Sequence, residues 1–518
     1  MNSHRIKRWH VLATAAAVLA STLLLLGVPD HDSVTRAVAR PRGSRPELVS
    51  ITIARRARTR AVPSSFLGLS TEYWAMPAFE RRQVLFARVL SLLHVPGDGP
   101  LMLRVGGDSA DHSFFDPDLR THPRWMFELT PGWLRSASSL LHHADARVTL
   151  DLNLVTGSPG VAARWASVAY RKLPRGTLAG FEIGNEPDIY SRRYWRAIVA
   201  RGTQWAAALP ARMSAATYGR DFQSYARALA AVAPDVPLSG PALANPASDA
   251  SWISTLLATA HGALATVTAH RYPFSACVKP ASPNYPTIAR VLSERATAAM
   301  AYRIRHAVEI AHSAGLPFRL SELNSITCGG RPGVSNMFAT ALWAPDALFE
   351  LMRVGVDAVN VHVRADAINA AFTLGESGLG ARPLLYGLIL FTRTLGPNAR
   401  LIELHMHAGH EHHLKAWAVE ASHRRLSVLL INKGDRLVLA RLRLPTSSVA
   451  SVQRLTAPGA GSSTGERLDG QRLGAGGRWV GRRTVQRVVP TRGRYTVSVP
   501  PLSAALVSVT ARVGAIPG

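Results

Sequence analysis

Between about residues 64 and 395 the chain repeats one unit, a short apolar run followed by a stretch with helical amphipathic spacing. The runs fall at Phe66–Ser70, Leu101–Val105, Arg147–Asn153, Gly180–Gly184, Val236–Ser239, Thr266–Arg271, Phe318–Glu322 and Ala358–His362. Helical periodicity fills the intervals, as at 81–93, 224–232 and 302–314. A near-continuous apolar run fits a strand buried on both faces, and a parallel strand needs a long crossover, usually a helix, to return to its starting edge. Eight such units predict an α/β chain closed into a (β/α)8 TIM barrel over 64–395. An open doubly wound sheet is the competing arrangement, but no glycine-rich phosphate loop follows the first strand.

The pattern changes near residue 398. Strand-like runs follow at 401–405, 414–419, 426–431, 437–442, 495–499 and 504–509 with no helical period between them, which predicts an all-β sandwich domain over 396–518. Residues 455–480 are rich in Gly, Ser and Arg and read as a long loop. Ahead of the barrel, 47–63 carries a strand (ELVSITI) expected to join the β domain, and 29–46 reads as a linker. The first 28 residues pair a basic flank, His4-Arg5-Ile6-Lys7-Arg8, with an unbroken apolar and small run from Val11 to Val28. That pattern reads as an export signal or an N-terminal membrane anchor, which would place the bulk of the chain outside the cytoplasmic membrane.

Formal net charge is +27, carried almost wholly by arginine. The arginines are scattered, as a codon preference would leave them, and no zinc-finger, RNA-binding or P-loop pattern is present, so nucleic acid is not an expected partner. An acidic polysaccharide would suit the charge.

Chemistry concentrates in two segments. In Phe181-Glu182-Ile183-Gly184-Asn185-Glu186-Pro187-Asp188 a strand runs into Gly-Asn-Glu-Pro. Period-two alternation directs Glu182, Gly184 and Glu186 into the barrel, with Glu186 at the carboxyl end of the fourth strand, where barrel active sites lie. In Phe318-Arg319-Leu320-Ser321-Glu322 the seventh strand also ends in Glu. Two carboxylates facing each other across a barrel mouth suit glycosidic cleavage, in which one protonates the leaving oxygen and the other attacks the anomeric carbon or activates a water.

These segments resemble the clan A retaining glycosidases, and within them glycoside hydrolase family 79, the β-glucuronidase and heparanase-like family. FLGLSTEYW (66–74), LRVGGDSAD (103–111), HRYP (270–273) and the long segment 322–362 carry the resemblance. It implies a retaining hydrolase acting on β-glucuronide-like sugars of glycans or glycoconjugates, with Glu186 as acid/base, Glu322 as nucleophile and no cofactor. It further implies that Asn185 bonds the sugar 2-hydroxyl, that Tyr272 orients Glu322, and that Glu72 contacts the sugar or is a buried partner of Arg104. Glu182 is expected to pair structurally with Arg104, itself a candidate substrate-binding residue. Asp108 and Asp111 line the pocket or cap a turn, and His270 reads as a packed barrel histidine. The sixth- and seventh-strand loops would bring Cys277 and Cys328 to one face as a disulfide.

The sequence departs from the glucuronidase pattern after the nucleophile, where Ser325-Ile326-Thr327-Cys328 has no aromatic, and after strand eight, where Arg364 is a candidate carboxylate ligand. A neutral-sugar exo-glycosidase of the xylosidase or arabinofuranosidase type is the alternative, and a non-catalytic carbohydrate-binding surface protein the next. The cluster His405, His407, His410, His412 and His413 reads as solvated residues on a hairpin, not a metal site.

Overall fold

The computed structural model describes residues 45–510 apart from 55, 116–124, 192–211, 366 and 410–412. The segment expected to be an N-terminal signal or anchor, nearly all of the expected linker, His410 and His412 lie outside the described residues. No helix among the described residues is long and apolar enough to cross a membrane.

Eight parallel strands close the barrel in sequence order: Leu67–Glu72, Leu101–Gly106, Ala146–Leu152, Leu178–Ile183, Leu238–Leu243, Leu264–Arg271, Phe318–Leu323 and Ala358–His362. The ring shuts where His362 of the eighth strand registers with Ser70 of the first. The intervening helices follow local rules. In Pro159–Lys172, the Ser158 hydroxyl accepts from the Val161 amide and Pro159 opens the first turn, while Arg171 and Lys172 sit in the last turn. Its buried residues Ala162, Trp165, Ala166 and Ala169 share one face at i, i+3, i+4 and i+7. Truncating Trp165 to Ala would cost about 3–5 kcal/mol, the usual range for a large aromatic in a close-packed core.

The β domain packs two sheets over a second core that includes Val49, Ile51, Val428, Leu430, Val497 and Val507. Strand Glu47–Thr52, from ahead of the barrel, lies between His405–Ala408 and Val438–Arg443. The other sheet runs through Arg400–Ile402, Leu414–Ala421, Arg425–Asn432, Ser503–Thr510 and Ala450–Thr456. The single strand predicted at 401–405 is thus two short strands in different sheets. His405 and His407 are exposed on the second of these, and among the described residues no ligand group forms there.

Helix Ala339–Val354, which follows the seventh barrel strand, is buried along nearly its whole length and carries Asp346 towards the β domain. Asp346 there pairs with Lys433 at 2.5 Å and accepts from the Trp417 indole at 2.9 Å. Both charges are sealed from water, and this supplies the compensation that a buried carboxylate requires.

Residues 455–480 are not the open loop their composition suggests. They contain the end of strand Ala450–Thr456 and the paired segments Arg472–Leu473 and Trp479–Val480. Leu468 and Leu473 enter the main core. The Phe338 and Ala339 amides donate to the Ser462 and Ala460 carbonyls, satisfying the orphan donors at the start of helix Ala339–Val354. The apolar residues were too sparse to form a periodic signal, and their burial depends on the barrel they cover.

Candidate active site

The strands deliver their carboxyl ends to one cavity of about 510 Å³, lined by Glu72, Asp108, Asn185, Glu186, Tyr272 and Glu322 among others. Beneath it lies Arg104 of the second strand, 1% exposed. Its Nε donates to Glu182 at 2.7 Å and its Nη1 to Glu322 at 2.7 Å. Its Nη2 donates to Asp151 at 2.8 Å and to Asn185 Oδ1 at 3.0 Å. The expected Arg104–Glu182 pair is present, but Arg104 does not line the cavity: its fork is taken up by four protein acceptors, of which Glu322 and Asn185 do line it. Asp151, of the third strand, was not singled out in the sequence. Burial, together with Glu182, Asp111 and Glu322, lifts its carboxyl well above the usual range despite Arg104. The available signal was an acid inside the apolar run 148–152.

Glu322 is 5% exposed. Its Oε1 accepts from Arg104 and its Oε2 from the Tyr272 hydroxyl at 2.8 Å. Burial would raise its carboxyl, but His362, His270, Arg104 and the Tyr272 hydroxyl outweigh burial and hold it down at about 2. It is therefore ionised at neutral pH. His362 Nδ1 reaches the Tyr272 oxygen at 3.0 Å, while its Nε2 lies 3.7 Å from Glu72, beyond hydrogen-bond range. Glu72 accepts from the Ser109 amide at 2.9 Å and does not pair with Arg104. Burial pushes the Glu72 carboxyl up, but His362 and Ser109 bring it below its usual value.

Glu186 reaches the cavity by a turn and not by strand alternation. The ladder of the fourth strand ends at Ile183. Gly184 and Glu186 then take left-handed backbone angles, φ 76° and 55°. A non-glycine residue held there costs of order 1–3 kcal/mol, and such strain clusters at functional sites. The Glu186 amide is anchored on the Ala242 carbonyl at 3.1 Å, and its side chain caps no helix. Its Oε1 meets His270 Nδ1 at 2.9 Å, and the same nitrogen lies 3.7 Å from Glu322 Oε2. His270 is therefore not mere barrel packing; it stands between the two carboxylates. Burial works against its protonation, but Glu322 and Glu186 raise its pKa above the ordinary histidine value. Its inward position on the sixth strand was legible, but its neighbours were not.

The turn is braced from the short helical turn Gly107–His112 that follows the second strand. Tyr190 donates to Asp111 at 2.7 Å and accepts from the Asn185 amide at 3.1 Å, so Asp111 supports the turn from below. Asp108 and Arg364 line the cavity, and the Arg364 guanidinium sits 5.8 Å over the Trp74 ring. Cys277 and Cys328 form a disulfide between the sixth- and seventh-strand loops, and Cys328 is part of the cavity wall.

Ligand-type atoms of Glu186, His270 and Glu322 all lie within 4.8 Å of one another. One carboxylate oxygen of Glu186 thus lies within 4.8 Å of one of Glu322.

No family profile and no curated protein matches the chain. Solved structures do. A 4-O-α-L-rhamnosyl-β-D-glucuronidase from Fusarium oxysporum 12S superposes with a TM-score of 0.72 at 18% identity, covering 89% of this chain and 100% of that one. An α-L-arabinofuranosidase from Thermotoga maritima gives 0.63 at 15%, covering 89% and 99%. A family 30 subfamily 8 xylanase from Clostridium acetobutylicum gives 0.52 at 12%, covering 89% and 100%. At these identities the likeness establishes the shared fold, a barrel with a β-rich C-terminal region.

Proposed function

We propose that the protein is a clan A retaining glycoside hydrolase that removes a β-glucuronide-like sugar, with Glu186 as acid/base and Glu322 as nucleophile. The observation that carries this reading is the close approach of the two carboxylates, one oxygen of each lying within 4.8 Å of the other, with Glu322 held ionised. Retention uses roughly 5–5.5 Å between the carboxyl groups, whereas inversion needs roughly 6.5–9.5 Å to admit a water. The solved neighbours, a glucuronidase, an arabinofuranosidase and a xylanase, support a glycan substrate.

In the first step Glu186 gives a proton to the leaving oxygen while Glu322 attacks the anomeric carbon, forming a glycosyl ester. Asn185, its Oδ1 fixed by Arg104, has its amide nitrogen left to donate to the sugar 2-hydroxyl. In the second step Glu186, now ionised, takes a proton from water as the water attacks the ester. His270, 2.9 Å from Glu186 Oε1, is placed to balance the charge of the ionised carboxylate. Arg364, steadied over Trp74, is the candidate ligand for a uronate carboxylate. The rim after Glu322 carries no aromatic side chain between Ser325 and Cys328, which keeps a neutral pentoside as the second reading. An exported location follows only from the N-terminal pattern and remains part of the proposal.

The test is turnover of chromogenic β-D-glucuronide, β-D-xyloside, β-D-glucoside and α-L-arabinofuranoside, with E186Q and E322Q as controls and NMR of the first-formed anomer. Glucuronide turnover with retention, lost in both variants, is expected. A first product of inverted configuration would sink the mechanism, and turnover of a neutral glycoside alone would replace the sugar but keep the two carboxylates.

A further inference from the structure

We propose that the cavity wall made by Arg271, Arg295 and Arg303 is a subsite for an anionic substituent of the glycan, a carboxylate or a sulfate, separate from the position of Arg364. This rests on the glycosidase reading above and concerns three cavity arginines that are hydrogen-bonded to neither Glu186 nor Glu322 among the described residues.

The segment between the end of the sixth strand and residue 303 is unbalanced in charge. It carries Arg271, Lys279, Arg290, Arg295 and Arg303 against one acid, Glu294. Glu294 turns away to Lys415 of the β domain at 2.9 Å. Three of the arginines, 271, 295 and 303, line the same cavity as Glu186 and Glu322, together with Asn245 and Asn284.

Their hydrogen bonding separates structural from available cations. Arg290 is structural, since its Nη1 donates to the Ser282 carbonyl at 3.0 Å and the Tyr285 carbonyl at 2.6 Å. Arg295 is held in place by Asn284 Oδ1 at 2.7 Å, a neutral partner that leaves its charge uncompensated. Arg271 is different. Its Nε is sealed from solvent and meets no hydrogen-bond partner among the described residues. Burial first and then the like charge of Arg303 push its guanidinium down to about 10, so it remains a cation at neutral pH. A half-buried guanidinium with an orphan donor, beside a second guanidinium, is an unfavourable arrangement for the empty protein. A bound oxyanion on the cavity side would compensate the two like charges, and a planar guanidinium fork fits carboxylate or sulfate oxygens two at a time. If Arg271 served packing alone, a carbonyl acceptor of the kind Arg290 has would be expected.

The experiment is calorimetric binding of three tetrasaccharides to the E322Q protein at low salt: hyaluronan (carboxylates only), chondroitin 6-sulfate (carboxylates and sulfates) and chitotetraose (neutral). The expected result is at least roughly tenfold tighter binding of one or both acidic probes than of chitotetraose. The two acidic arms tell a carboxylate subsite from a sulfate subsite. In R271Q and R303Q the preference should shrink to within about twofold, and it should weaken with added salt. Arg303 is exposed, so R303Q tests the subsite without disturbing the core should R271Q fold poorly. Equal binding of acidic and neutral probes, binding of none, or a preference that survives in the R303Q protein would each overturn the proposal. Turnover of aryl glycosides by the wild-type protein judges the glycosidase reading separately.

Discussion

Replacing Tyr272 by Phe removes one oxygen from the centre of the site and leaves the ring in place. That oxygen donates to Glu322 Oε2 at 2.8 Å and receives His362 Nδ1 at 3.0 Å. A hydrogen bond to a charged group is worth about 1.5–3 kcal/mol, which corresponds to roughly one to two pKa units. Glu322 is held at about 2 by several groups, of which the Tyr272 donor is one. Arg104, His270 and His362 remain in the variant, so the carboxyl should rise by no more than this and stay ionised at pH 7. In the proposed mechanism Glu322 must be ionised to attack; its depressed pKa keeps it so in acid, and loss of a donor brings protonation at higher pH. The acid limb of kcat/KM should therefore move up by roughly one to two pH units. At pH 7 the loss should be about 10- to 100-fold, because Oε2 is no longer aimed. The assay is kcat/KM against pH on whichever aryl glycoside is turned over, with a thermal melt at each pH to exclude unfolding. An acid limb that stays put, with kcat/KM within twofold of wild type, would refute the assignment of Tyr272 and weaken that of Glu322.

Three further outcomes follow. E186Q should lose most turnover, and added azide should restore it on substrates with good leaving groups, giving a glycosyl azide of retained configuration; an inverted azide would show that no glycosyl-enzyme forms. Reducing the Cys277–Cys328 bond, which spans 51 residues, should cost about 4 kcal/mol by loop-closure entropy, read as a lower melting temperature; an unchanged melting temperature would show that the loops are held by other contacts. D346N should cost about 3–5 kcal/mol, since it strands the Lys433 ammonium in the core. Burial raises the Asp346 carboxyl but Lys433 and Lys415 lower it further, so its stabilisation is present above the unfolded pKa and fades as pH falls through the folded one. Urea melts at pH 7 and pH 3 should therefore differ less in D346N than in wild type.

The barrel was legible because its signal is local. Each strand is an apolar run and each helix carries a face, as in Ala162, Trp165, Ala166 and Ala169, and eight such units have few ways to close. The two site glutamates were legible for a related reason: Gly-Asn-Glu-Pro and Ser-Glu stand at strand ends, where a barrel puts its chemistry. Local rules also misled. Alternation placed Glu186 on the strand face, whereas left-handed turns at Gly184 and Glu186 deliver it. Composition made 455–480 a loop, yet Leu468 and Leu473 are buried by the barrel.

What only the tertiary structure decided is who stands next to whom. Arg104, Asp151, Glu182 and Glu322 come from four strands and span 218 residues, yet one guanidinium holds all three acids. His270 looked inert until Glu186 and Glu322 closed around it. The same is true of the orphaned Arg271. Strand and helix formation depend on neighbours in sequence, and so are written there. Charge compensation, pKa and the distance between two carboxylates depend on neighbours in space, and become determinate only when the barrel closes.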